Sequence, residues 1–277
     1  KPNNTVYFLN NNVFMNNYDL KNKISIITGG AGLLGVQHAQ SLLEIQSTVI
    51  LIDIDYKKLL NAKKHFNKIN KDVFIFQSDI TNETQMKKTL VKIIKKFKKV
   101  DVLVNNAAID YKPNKKKLKK NNFENSNLSD WKKELEVGLT GTYICCKIIG
   151  GEIAKKGGVI LNIASDLSVI APDQSLYSHL NTIKPAGYSV TKHGLIGLTK
   201  YLAVYWAKNK LRVNALSPGG VYNRQDKKFL NKINKKIPMN RMAKITEYKE
   251  AVKFLCTNAS SYMTGHNLII DGGRSVL

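Results

Sequence analysis

The stretch "TGGAGLLG", Thr28 to Gly35, lies between "KISII", a short apolar run, and "VQHAQSLLEI", whose apolar residues recur at helical spacing. Its glycines therefore occupy a strand-to-helix turn. Gly29 and Gly30 can take backbone angles closed to other residues. Gly32 leaves no Cβ between the chain and a pyrophosphate, and Gly35 lets the helix lie tight on the strand. Free N–H groups at the start of such a helix attract phosphate, with the helix dipole adding to the pull. A tight turn in an unrelated α/β protein would use the same glycines, so the rest of the chain has to decide between the two.

Outward from this turn the chain alternates regularly. Strands are predicted at "KISIIT", "TVILID", "VFIFQ", "VDVLVNN", "GVILNIA", "LRVNAL" and "NLIIDG". Helical patterns run between them over Leu33–Gln46, Tyr56–Ile69, Glu83–Lys98, Ser129–Ile149, Ala186–Lys208 and Thr246–Thr257. Seven short apolar strands alternating with six helices predict one doubly wound, parallel, Rossmann-like α/β sheet with helices on both faces, over residues 20–277. Residues 1–19, rich in asparagine and without a period, are expected to form a flexible extension. Ligands of such sheets sit beyond the carboxyl ends of the strands. Three long loops fall on that side: Asp110–Leu128, Asp166–Pro185 and Val221–Ile245.

A length of 277 residues with 43% hydrophobic content suffices for a full core. No run is long and apolar enough to span a membrane, and the first residues lack the plan of a signal peptide, so a cytoplasmic location is expected. Cys145, Cys146 and Cys256 show no metal spacing and read as reduced, buried thiols, so no metal is expected. The net charge of +24 raises the question of nucleic acid. Only Arg212, Arg224, Arg241 and Arg274 are arginine, however, and asparagine is overused alongside lysine. That pattern reads as compositional bias, and the densest run, Lys112–Lys120, as a solvated loop; no specific nucleic-acid partner is expected.

Asp53 ends the second strand 18 residues past Gly35, where a carboxylate can accept both ribose hydroxyls of an adenosine and repel a 2′-phosphate. NAD(H) is therefore expected over NADP(H), with Asp55 as the rival carboxylate. Asp79, ending the third strand, is placed near the adenine, and Thr81 or Asn82 is expected to cap the next helix. In "YSVTK", Tyr188 and Lys192 stand four apart on one helical face, and an ammonium near a phenol lowers its pKa. Such a phenol can exchange a proton with an oxygen while hydride moves at the adjacent carbon.

With "TGGAGLLG", "NNAA" (Asn105–Ala108), "NIAS" (Asn162–Ser165), "YSVTK", "RVNALSPGG" (Arg212–Gly220) and "MTGHNLIIDGG" (Met263–Gly273), the chain resembles a short-chain dehydrogenase/reductase from Lys23 to its C-terminus. The resemblance implies that Tyr188 is the general acid/base, Lys192 binds the nicotinamide ribose, and Ser165 holds the substrate oxygen. It implies a cofactor site made by Thr28, Gly29, Gly32, Leu33, Leu34, Gly35, Asp53, Asp79, Ile80, Asn105, Ala107, Tyr188, Lys192, Pro218, Gly219 and Val221. It also implies a homodimer or homotetramer, paired through the helices at Ser129–Ile149 and Ala186–Lys208. Tyr143, Cys146, Leu198, Leu202 and Tyr205 would supply the apolar seam.

The departures narrow the kinship. The glycine spacing is that of the family's extended members, whereas everything downstream fits its short form. Ser165 and Tyr188 stand 23 residues apart, wider than usual, with "PDQSLYSHLNTIKP" as an insertion and Ser168 as a rival serine. Gly138 replaces an asparagine that in most relatives holds a proton-relay water. "GLLG", the insertion and "VGLTG" together resemble oxidoreductases of bacterial flagellin modification and surface-sugar biosynthesis. The reading is an oxidoreductase interconverting hydroxyl and carbonyl on a small polar substrate, a sugar or sugar phosphate. Polar loop residues such as Asp173, Gln174, His179, Asn223 and Arg224 support it. An epimerase or dehydratase with retained NAD, and a non-catalytic nucleotide-sensing or nucleic-acid-binding protein, are the alternatives.

Overall fold

The structure, a computed structural model, describes residues 16–69, 71–109, 122–180 and 182–277. Most of the predicted N-terminal extension and the whole lysine run 112–120 therefore lie outside the described residues. The seven strands are β1 (Ile24–Thr28), β2 (Thr48–Asp53), β3 (Val73–Gln77), β4 (Val102–Asn105), β5 (Gly158–Ile163), β6 (Leu211–Pro218) and β7 (Asn267–Ile270). They form one sheet in the order β3-β2-β1-β4-β5-β6-β7, with every pairing parallel. The order reverses between β1 and β4, so the crevice at their carboxyl ends is the switch point where ligands of such sheets sit.

The helices are α1 (Leu33–Glu44), α2 (Tyr56–Lys68), α3 (Glu83–Phe97), α4 (residues 128–153), α5 (Ala186–Tyr205), α6 (Lys227–Asn234) and α7 (Lys249–Cys256). Both faces of the sheet are covered, which is why its strands read as mainly apolar runs rather than alternating ones. Alternate residues of each strand serve opposite faces. Ile27, Val49, Leu51, Val104 and Leu161 join one core cluster with α1 and α7, while Ile26, Ile50, Leu103 and Ile160 join the other with α3 and α4.

Three expectations are corrected by this arrangement. Val221–Ile245 is not a plain loop, since it contains α6, started by Asp226, whose carboxylate accepts the amides of Lys228 and Phe229. α4 is not one regular helix: π turns at Glu136–Thr140 and Cys146–Gly150 interrupt it. Cys146 and Leu202 are buried in this chain's own core rather than on an open seam. The exposed large apolar residues of α4 and α5 are Leu128, Tyr143, Val190, Tyr201, Val204 and Tyr205. All three cysteines are buried free thiols, as read, and burial pushes Cys146 and Cys256 up to about 12.

Candidate active site

β1 ends at Thr28, whose hydroxyl accepts the amide N–H groups of Asn106 at 3.1 Å and Ala107 at 3.2 Å. Asn106 Nδ2 returns two bonds, to the carbonyls of Thr28 at 3.1 Å and Gly29 at 3.0 Å. The loop after β4 is thus laced to the glycine turn. Gly29 has φ +57°, and a Cβ there would lie 2.7 Å from Ala107 Cα; one at Gly35 would collide with the Gly29 carbonyl. α1 starts at Leu33 from Gly32 without any side-chain cap or acidic residue in its first turn, so its leading amides stay open to an anion. Leu33 is exposed beside them, while Leu34 packs on the core.

Asp53 lies half-buried at the end of β2. Its carboxylate accepts the amides of Ala31 at 3.2 Å and Asp55 at 3.0 Å, which ties it directly to the glycine turn. The rival Asp55 is engaged in capping α2 through the Lys58 amide at 3.0 Å. Asp79 holds the amide and hydroxyl of Thr81 at 2.9 and 2.8 Å, Ile80 is buried in the core, and Asn82 is the cap of α3. An uncapped helix start, glycines whose Cβ atoms would fill the turn, and a carboxylate at the next strand's end together fit a dinucleotide.

Beyond β5, Ser165 is 6% exposed. Its Oγ donates to Asp166 Oδ1 at 2.8 Å and accepts the Leu167 amide at 3.2 Å. Asp166 is held in turn by Arg274 at 2.6 Å. The rival Ser168 is engaged elsewhere, with Ser217 Oγ at 2.8 Å and Asn267 Nδ2 at 3.4 Å. The turn Asp166–Ser168 packs against α5, which carries Tyr188 in its first turn and Lys192 one turn later. Lys192 is 5% exposed; its Nζ donates to the Ile163 carbonyl at 2.9 Å and lies 5.6 Å from the centre of the Tyr188 ring. Ser165, Tyr188 and Lys192 thus gather at the carboxyl end of β5.

The Asn105 side chain is 3% exposed and ties elements together: Nδ2 donates to Asn162 Oδ1 at 2.8 Å, and Asn162 continues to Thr199 Oγ1 at 2.9 Å on α5. Only its position at the end of β4 faces the ligand side. Pro218 closes β6, the Gly219 carbonyl accepts the buried Tyr248 hydroxyl at 2.9 Å, and Val221 bridges to Ala243. Gly138 lies in the first π turn of α4, and a Cβ there would run into Thr191 Cγ2 on α5. An asparagine at position 138 would have to displace the Thr191 side chain.

Over the site, the insertion folds as a turn, Gln174–Leu180, against α6. Leu176, Ile233, Ile237 and Met242, with Tyr177, Phe229 and Leu230 packed on them, form a small third apolar cluster. Ion pairs His179–Asp226 at 3.0 Å and Lys236–Asp173 at 3.3 Å cross the same contact. Sequence reading expected this insertion over the active site but missed its docking on α6, the roles of Asn106 and Arg274, and the contact of Lys184 with the Tyr188 ring. The signals available were the second asparagine of "NNAA" and the arginine directly after "DGG".

Comparison with known proteins agrees with this geometry. The family model described as Enoyl-(Acyl carrier protein) reductase matches residues 31–275. An NAD-dependent glycerol dehydrogenase of Listeria innocua is 31% identical over 95% of this chain and 98% of its own length. An NADP-dependent mannitol dehydrogenase of Alternaria alternata is 30% identical over 94% of each chain. Among solved structures, NAD+-bound xylitol dehydrogenase superposes with a TM-score of 0.80 at 26% identity, covering 91% of this chain and 99% of that one. The glycine turn, the serine–tyrosine–lysine group and these matches together make the chain a member of the short-chain dehydrogenase/reductase family of oxidoreductases.

Proposed function

We propose that the protein is an NAD(H)-dependent dehydrogenase that interconverts a hydroxyl and a carbonyl on a polyol or sugar-like substrate, with Tyr188 as general acid/base. The observation that carries it is the gathering of Ser165, Tyr188 and the buried Lys192 at the end of β5, beside a glycine turn open to phosphate. NAD, when bound, supplies the hydride acceptor in oxidation and the donor in reduction. Tyr188 takes the substrate's hydroxyl proton in oxidation and returns one in reduction. Lys192 places its positive charge near the phenol and favours the phenolate. Ser165 holds the substrate oxygen once its proton turns from Asp166. Asp53 accepts the ribose hydroxyls, and its charge disfavours a 2′-phosphate.

The glycerol, mannitol and xylitol dehydrogenases named above support a polyol or sugar, as do the polar groups of the cap. The family model's own description points instead to acyl substrates, and a cap cluster containing Tyr177 and Phe229 keeps that second reading in play. A narrower kinship with flagellin and surface-sugar enzymes rests on the glycine spacing, the insertion and Gly138 alone. The test is a screen of NAD(H) absorbance with polyols, sugars, sugar phosphates, nucleotide sugars and acyl ketones. Turnover of a polyol or sugar above all acyl ketones is expected. Preference for acyl ketones would overturn the substrate class, and product formed with no net change in cofactor redox state would favour an epimerase.

A further inference from the structure

Lys184 stands in the segment that separates Ser165 from Tyr188, and its Nζ lies 3.7 Å from the centre of the Tyr188 ring, nearer than Lys192 at 5.6 Å. Gln174 holds the Lys184 backbone from both sides. The Lys184 amide donates to Gln174 Oε1 at 2.8 Å, and Gln174 Nε2 donates to the Lys184 carbonyl at 3.1 Å. The insertion therefore fixes an ammonium over one ring of the site. We propose that Lys184 is a second positioning lysine, which acts with Lys192 to hold Tyr188 in its phenolate form. This rests on Tyr188 being the acid/base.

An ammonium over an aromatic face is attracted by the ring's own charge distribution within about 6 Å. When the phenol ionises, the negative charge spreads into that ring, and the contact becomes one between opposite full charges. The ionised form gains more than the neutral form, so the phenol's pKa falls. Other charges face the same place. Lys192 adds to the effect from the same helix. Glu134 on α4 opposes it: its carboxylate accepts the Tyr188 backbone amide and lies close to Lys184, with Asp130 on the same helix behind it. The lack of a Cβ at Gly187 is what lets the Glu134 carboxylate approach the start of α5. Burial pushes the Glu134 carboxyl upward, and Lys184 pulls it back down. Asp166, across the site, is answered by Arg274. Lys184 thus tips a balance between two lysines and one partly buried carboxylate.

The experiment is a spectrophotometric pH titration of tyrosinate, in which subtracting the curve of Tyr188→Phe isolates Tyr188 from the other eleven of the chain's 12 tyrosines. It requires no substrate. Lys184→Met should raise the Tyr188 midpoint by about one pH unit, and Lys184→Arg should leave it near the parent value. Gln174→Ala, which frees the Lys184 backbone, should shift it part of the way. Glu134→Gln should shift it downward. NAD affinity and thermal midpoints measured on each variant identify any that has lost its fold. A folded Lys184→Met protein whose Tyr188 titration superimposes on the parent would overturn the proposal. So would equal shifts in the Met and Arg variants, which would mark a role in packing only. Retained dehydrogenase activity in Tyr188→Phe would instead overturn the underlying assignment of Tyr188, whatever the titration shows.

Discussion

His38 on α1 is fully buried, neither ring nitrogen has a hydrogen-bond partner among the described residues, and burial lowers its pKa from 6.5 to about 4. A folded-state pKa below the unfolded one means that the unfolded chain binds the proton first. The native state therefore keeps its full stability above pH 6.5 and loses it as pH falls toward about 4. The loss amounts to about 3 kcal/mol over that window. His38→Leu, which removes the proton site and two unpaired polar atoms, should lose far less, and urea unfolding of both proteins across the window measures the difference. Equal losses would mean that His38 is solvated in the folded chain. Asp53 gives a second test at this scale. Asp53→Ala should bring the NAD and NADP dissociation constants together by removing the charge that disfavours a 2′-phosphate. An unchanged ratio would shift the discrimination to another group, with Asp55, which caps α2, as the rival carboxylate.

The contact between α4 and α5 explains Gly138. Gly138→Asn should destabilise the fold by about 1–3 kcal/mol, because its Cβ meets the Thr191 methyl, which must shift to admit it. Thr191→Ser deletes that methyl, so the double variant should recover much of the loss in a thermal-unfolding cycle; strictly additive effects would place the strain elsewhere. The same elements show what the sequence could reveal. The strands were legible because both faces of the sheet are covered, so each run is mainly apolar, and Asp53, Ser165 and Tyr188 stand at or near the ends of such elements. The π turns of α4 were not legible, since no sequence pattern separates a π turn from an ordinary helical turn, and Gly138 and Gly141 alone do not mark one. α6 was missed although Phe229, Leu230 and Ile233 share one face, because eight residues make only about two turns, too short a window to set apart from a loop. The Lys184 contact depends on how the insertion folds back, which no local pattern encodes.

For the whole molecule, the charge of +24 and the exposed face of α4 and α5 make separate predictions. Any nucleic-acid binding should disappear at moderate salt and ignore sequence, because lysines spread over the surface act only by counterion release. Tight, selective binding at physiological salt would contradict an enzyme-first account. Tyr143, Tyr201, Val204 and Tyr205 present an apolar patch suited to pairing with a second copy. Light scattering should give a dimer or tetramer, and Tyr205→Glu should weaken it; a strictly monomeric parent would contradict this. The central claim is that one phenol moves the proton while the cofactor is held elsewhere in the crevice. The most direct measurement is therefore turnover and NAD affinity in Tyr188→Phe, side by side with the parent. The account predicts a loss of turnover of about a hundred- to ten-thousand-fold with the NAD dissociation constant nearly unchanged. Turnover within a few-fold of the parent would contradict it.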